Sequence, residues 1–207
     1  MPIRFLALGD SYTIGEAVSP ADSWPVQLVQ RLRARGIPVA DPVIVAATGW
    51  TTAELAAAID TTPLDGPFDL VTLLIGVNDQ YRGLPCDHTY RQRIRHLLHR
   101  AIALAGGEPR RVLVLSIPDW SVTPFASDRD RPAISTAIQA FAAANRAAAQ
   151  EAGAAWVDIT PLSRQAATDP DLLAADGLHP SATMYRRWVE LILPLAHAIL
   201  SGNGNPP

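Results

Sequence analysis

Ile3-Arg4-Phe5-Leu6-Ala7-Leu8-Gly9-Asp10-Ser11, near the start of a 207-residue chain, is the stretch on which its fold turns. From Ile3 to Leu8 only Arg4 breaks an apolar run, the pattern of a strand covered on both faces. Gly9 then permits a sharp turn, and Ser11 emerges at the mouth of the sheet that the strand joins. Val43–Ala47, Leu70–Ile75 and Val112–Ile117 are further near-continuous apolar segments, and Ala155–Ile159 is a weaker one. Between and after them, amphipathic spacing predicts helices at Ala21–Arg35, Thr51–Ile59, Tyr90–Leu104, Ile134–Ala152 and Ala182–Leu200. Strand alternating with helix predicts an α/β fold, a parallel sheet with right-handed crossovers and helices on both faces. Such sheets bind ligands beyond the carboxyl ends of their strands, where the strand order reverses. Ser11, Gly49, Asn78 and Trp120 all stand just after predicted strands.

Composition sets the bounds. The length fits one domain over residues 1–200, and the Gly-, Asn- and Pro-rich stretch 201–207 reads as a disordered tail. A hydrophobic content of 48% supports a sizeable core. With 17 basic and 20 acidic residues the net charge is −3, which gives no electrostatic ground for nucleic acid or an anionic membrane as partner. The basic cluster Arg91 to Arg100 is interleaved with Ile94, Leu97 and Leu98 at helical spacing, so it reads as a solvated helix face. Cys86 is the single cysteine; it forms no intrachain disulfide and reads as a small, half-buried side chain. No run approaches the ~20 apolar residues of a membrane span. The first residues lead directly into a strand without a basic start and separate apolar segment, so a cytoplasmic location is expected. The sequence assigns no oligomeric state.

The chemistry lies in four short segments. A serine is a poor nucleophile near neutral pH and needs a base, which in turn needs a partner to fix its tautomer. Asp176-Gly177-Leu178-His179-Pro180 offers both. Of five histidines, His88 lies in a connection, His96 and His99 on the charged helix, and His197 near a helix end. His179 stands between a carboxylate and a proline, where Asp176 can reach its Nδ1–H and leave Nε2 free. Gly49, just ahead of a helix, can aim its backbone N–H at a developing oxyanion. Asn78, in Gly76-Val77-Asn78-Asp79, offers an uncharged side-chain donor for the same charge. Each segment alone has a plainer reading: Ser11 as a helix cap, Gly49 as a turn, Asn78 as an Asx-turn.

Together, Gly9-Asp10-Ser11, Gly49, Gly76-Val77-Asn78-Asp79 and Asp176-Gly177-Leu178-His179 resemble the four motif blocks of the SGNH hydrolases, the GDSL-type esterases and lipases. The blocks occur in the family's order and span nearly the whole chain. The resemblance implies a three-layer α/β/α sandwich with a five-stranded parallel sheet of flavodoxin-like type. It implies Ser11 as nucleophile, His179 as base and Asp176 as its orienting acid, with oxyanion donors at Ser11 N–H, Gly49 N–H and the Asn78 side chain. It implies a small-molecule ester as substrate, with no cofactor and no metal. Trp50 departs from the family pattern, in which a small or polar residue often follows the second-block glycine.

Trp24, Trp50, Tyr81, Pro118, Trp120, Pro124, Phe125 and Leu178 lie in predicted strand-end loops or beside the motifs and are candidates to line an apolar pocket. The longest loop is around Ser121–Pro132 and the sequence shows no long inserted lid, so an open, small site suited to short-chain or aryl esters is expected rather than one for long-chain lipid. Beside this reading stand a flavodoxin-like binding module or inactive hydrolase relative, and two enzymatic alternatives. One is a carbohydrate O-acetyl esterase using the same residues. The other is a metal-dependent phosphoesterase, which needs several converging histidines and carboxylates.

Overall fold

All five predicted strands form, the second with its predicted ends and the other four with ends moved. In the computed structural model, which describes residues 2–202, they are β1 (Phe5–Asp10), β2 (Val43–Ala47), β3 (Leu70–Leu73), β4 (Val112–Leu115) and β5 (Ala155–Val157). Ile3 drops out of β1 and makes an isolated parallel bridge to Val39. β1 instead runs on to Asp10, because Gly9 and Asp10 pair with Ala46 and Ala47 of β2. The helices are α1 (Ser11–Ile14), α2 (Trp24–Arg33), α3 (Thr52–Thr61), α4 (Val77–Tyr81), α5 (His88–Leu104), α6 (Arg131–Ala152), α7 (Thr160–Ser163) and α8 (Ala182–Leu200). The five predicted from periodicity are α2, α3, α5, α6 and α8. The other three have only 4, 5 and 4 residues, too few to show a helical repeat.

Caps explain several boundaries. α6 begins three residues before its apolar stripe because Asp130 accepts a hydrogen bond from the Ala133 N–H at 3.0 Å. At the start of α3, Glu54 reaches back to accept from both the Thr51 N–H, at 2.8 Å, and the Thr51 hydroxyl, at 2.9 Å. Of the predicted tail, Ser201 and Gly202 form a turn closing α8, and 203–207 lie outside the described residues. Arg91, Arg93 and Arg95 are exposed on α5 while Ile94, Leu97 and Leu98 are buried, as the helical spacing predicted. Among the described residues no helix is long and apolar enough to cross a membrane.

The sheet is wholly parallel, in the order β2-β1-β3-β4-β5. The chain moves one way from β1 to β2 and the other way thereafter, so right-handed crossovers divide the helices between the two faces. α2 packs on α8, while α5 packs on both α3 and α6. The result is the three-layer α/β/α sandwich. The order reverses between β1 and β3, and a crevice opens beyond their carboxyl ends. Ser11 follows β1 directly, and α4 with Asn78 follows β3.

Close packing at this junction makes Gly9 indispensable. A Cβ there would lie 2.6 Å from the Leu74 carbonyl oxygen and 2.1 Å from Thr13 Oγ1. The first neighbour is backbone locked to β1 by the Leu74 N–H, which donates to the Leu8 carbonyl at 3.0 Å. Gly9→Ala is therefore expected to destabilise the fold by about 1–3 kcal/mol. For a domain of this size that lowers Tm by roughly 2–12 °C. Calorimetry showing an unchanged Tm would contradict the packing described.

Candidate active site

The end of β1 sets the serine. Asp10 Oδ1 accepts from the Tyr12 N–H at 3.0 Å, which makes Asp10, not Ser11, the cap of α1. Ser11 is thus the first helical residue, with its hydroxyl turned to His179: Oγ lies 3.0 Å from Nε2. On the other side of the ring, Nδ1 lies 2.6 Å from Asp176 Oδ2. Asp176 Oδ1 also accepts from the backbone N–H groups of Leu178 and His179, both at 3.0 Å. One carboxylate therefore folds the turn and orients the ring that the turn carries. Burial works to raise the Asp176 pKa, but the bond from His179 and the two backbone donors outweigh it and hold the group below the usual carboxylate range. An ionised carboxylate only accepts, so Nδ1 bears the proton and Nε2 presents its lone pair to Ser11. Tyr12 packs against the imidazole at 5.0 Å between ring centres. The turn is anchored from behind by an antiparallel bridge between Leu173 and Pro180.

The opposite wall is stitched from β2, α3 and α4. Gly49 has φ +80°, a left-handed conformation that other residues adopt only with strain. Its carbonyl accepts from Arg82 Nη2 at 2.6 Å, and Arg82 Nη1 reaches Glu54 at 3.2 Å. The Asn78 amide donates to the Trp50 carbonyl at 3.0 Å and lies 3.4 Å from Asp10 Oδ2. Buried Asp79 accepts from the Thr52 N–H at 2.8 Å and the Thr52 hydroxyl at 2.7 Å, joining α4 to the first turn of α3. Burial, opposed by the Tyr12 N–H and reinforced by the charge of Asp79, pushes the Asp10 carboxyl up to about 8.

Between these walls lies a cleft of about 200 Å³. The structure brings Ser11, Gly49, Asn78 and His179 to it, with Tyr81, Trp120, Phe125 and Leu178 among its lining residues. Four pocket candidates are corrected. Trp24 is fully buried in the first turn of α2 and packs on Phe5 in the core. Pro118 is buried in the connection after β4. Trp50 packs its ring against the core and turns its carbonyl to Asn78. Pro124 is exposed beside Gly177 and does not line the cleft. The Trp120 indole N–H donates to Gln80 Oε1 at 2.8 Å, and the residue before it, Asp119, accepts from Ser121, Ser135 and Arg164 at 3.2, 2.7 and 2.8 Å.

Sequence reasoning missed Thr48, Tyr12 and Val77, which also line the cleft, and the Arg82 clamp. Arg82 had a legible signal, since it follows Asn78 by four residues and so shares its helical face. A larger groove of about 430 Å³, lined by Ile59, Leu64, Pro67 and Arg100, lies toward the amino ends of β3 and β4 and has no histidine, cysteine or carboxylate among its lining residues. Among the described residues no three His, Cys, Asp or Glu side chains converge as a metal site would require, so the phosphoesterase alternative lacks its donor set.

The model of the GDSL-like lipase/acylhydrolase family matches residues 7–187, which takes in all four segments. The chain belongs to that family. Like other GDSL-like acylhydrolases it is a hydrolase, and its sheet is the SGNH sheet. No curated protein matches it. Among solved structures, TesA aligns with a TM-score of 0.73 at 22% identity, covering 95% of this chain and 99% of that one. The psychrotrophic esterase EstA from Pseudoalteromonas sp. aligns at 0.72 and 16%, covering 96% and 98%. Axe2, an acetylxylan esterase from Geobacillus stearothermophilus, aligns at 0.72 and 19%, covering 94% of each chain. At these identities the likenesses speak to the fold.

Proposed function

We propose that this GDSL-like hydrolase cleaves carboxylic esters through an acyl-enzyme, with Ser11 as nucleophile. The reading rests on one observation above others, the unbroken chain from Ser11 Oγ through His179 to Asp176, with contacts of 3.0 and 2.6 Å. His179 Nε2 takes the Ser11 proton as Oγ attacks the ester carbonyl. The tetrahedral oxyanion is met by the N–H groups of Ser11 and Gly49 and by the Asn78 amide. Collapse expels the alcohol, which His179 protonates, and water then repeats the sequence on the acyl-enzyme. The Asn78 amide donates to the Trp50 carbonyl at 3.0 Å and, over a longer 3.4 Å, to Asp10 Oδ2; the longer contact is the one exchanged for the oxyanion.

Volume and lining support short-chain or aryl esters. A cleft of about 200 Å³ walled by rings and Leu178 takes an acetyl or aryl group and has no room for a long acyl chain. Activity is expected to fall steeply from acetyl to palmitoyl esters, and a flat or rising profile would contradict this. Asn78→Ala is expected to leave a folded enzyme slower by on the order of 10²–10³ in kcat. Sugar O-acetyl esters are the second reading, because Tyr81 and Phe125 are partly exposed at the rim, where a sugar ring can pack against them. An acetyl-sugar arm in the same substrate panel separates the two.

A further inference from the structure

The rings lining the cleft carry a cation on them. Tyr81, Trp120 and Phe125 form one cluster, with ring centres 5.5, 6.1 and 6.0 Å apart. The Arg129 guanidinium lies 5.1 Å from the first ring, 5.5 Å from the second and 5.3 Å from the third. Nη2 lies 3.4 Å from the Tyr81 hydroxyl. Contact with three ring faces fixes an otherwise exposed and flexible side chain beside the mouth of the site. Its charge is not spent. Among the described residues Arg129 makes no ion pair, and its neighbour Asp130 is occupied with capping α6. The other guanidinium beside the cleft, Arg82, is committed to Gly49 and Glu54. At that end Glu16 accepts from Thr48, so the cleft is polarised, with a carboxylate near Thr48 and an unpaired cation over the aromatic end.

We propose that Arg129 is a specificity-determining residue that selects esters bearing an anionic group, such as a carboxylate, on the arm lying over Tyr81, Trp120 and Phe125. The arm's apolar part packs on the rings, and its charge meets a planar donor already held in place, which limits the entropy lost on pairing. The inference deepens the esterase reading and rests on it for turnover. An exposed ion pair of this kind is worth a small factor, about three- to fivefold.

The test compares 4-acetoxybenzoate with phenyl acetate in the wild type, Arg129→Gln and Arg129→Lys. The two leaving groups differ in intrinsic reactivity, so the quantity read is how the ratio of their kcat/KM values changes between enzymes. The ratio is expected to fall about three- to fivefold in Arg129→Gln, through KM, to be largely kept in Arg129→Lys, and to decline with added salt in the wild type. A ratio unchanged by Arg129→Gln, with both esters affected alike, would reduce Arg129 to rim packing and overturn the proposal. Binding keeps this failure distinct from failure of the esterase reading. In Ser11→Ala, calorimetric titration should show benzoate binding more tightly than benzamide, and the preference should vanish when Arg129→Gln is added. If no ester is turned over by the wild type, the esterase reading falls while this arm still decides Arg129.

Discussion

Ser11→Ala is expected to lower ester hydrolysis by on the order of 10⁴–10⁶ while leaving the fold intact. Two features of the site set the size of this effect. First, no other hydroxyl is bonded to His179 Nε2, so nothing described inherits the attack when Oγ is removed. Second, the substitution is structurally mild. Asp10 and not Ser11 caps α1, and the Ser11 carbonyl, which accepts from the Gly15 and Glu16 N–H groups, is retained. The backbone donors at Ser11 and Gly49 survive, so a residual rate above that of water should remain. The check is kcat/KM on a short-chain ester beside a thermal melt of both proteins. A variant with the wild-type Tm and more than a tenth of the wild-type rate would show that Ser11 is not the nucleophile.

His179→Ala should cost as much, and the comparison with Asp176→Asn is the more telling result. Asp176 has two tasks, folding the turn through Oδ1 and orienting the ring through Oδ2. An asparagine can keep the first with its carbonyl. Its amide would then face Nδ1 as a donor, forcing the proton to Nε2 and leaving no lone pair for Ser11. The loss is expected to be on the order of 10²–10⁴, below that of His179→Ala. It is smaller because the Asp176 side chain is 35% exposed, so water and ring rotation recover part of the productive tautomer. Equal losses in the two variants would show the carboxylate to be as necessary as the base.

How much of this was legible in the sequence follows from the range of the forces involved. The strands were readable because residues such as Leu6 to Leu8 and Val112 to Leu115 are buried on both faces and so form continuous apolar runs. Their exact ends were not, because pairing partners set them: Asp10 joins β1 only through Ala47, far along the chain. The grouping of Ser11, His179 and Asp176 was legible because the proposed chemistry restricts both residue type and local spacing. The clefts and clamps were less so. Trp24 and Trp50 are aromatic residues near the motifs, as Tyr81 and Trp120 are, and only packing distinguishes those that face the core from those that face the cleft. Asp10 was equally opaque, since nothing in Gly9-Asp10-Ser11 shows that its carboxyl is fully buried between Tyr12 and Asn78.

The claim at the centre is that Ser11 is an activated nucleophile, and covalent labelling tests it most directly. The purified protein would be treated with a fluorophosphonate at neutral pH and the adduct located by peptide mass spectrometry. The account predicts one adduct per chain, on Ser11, lost in Ser11→Ala and strongly slowed in His179→Ala. An unlabelled wild type, or an adduct on any other residue with ester hydrolysis abolished, would contradict it.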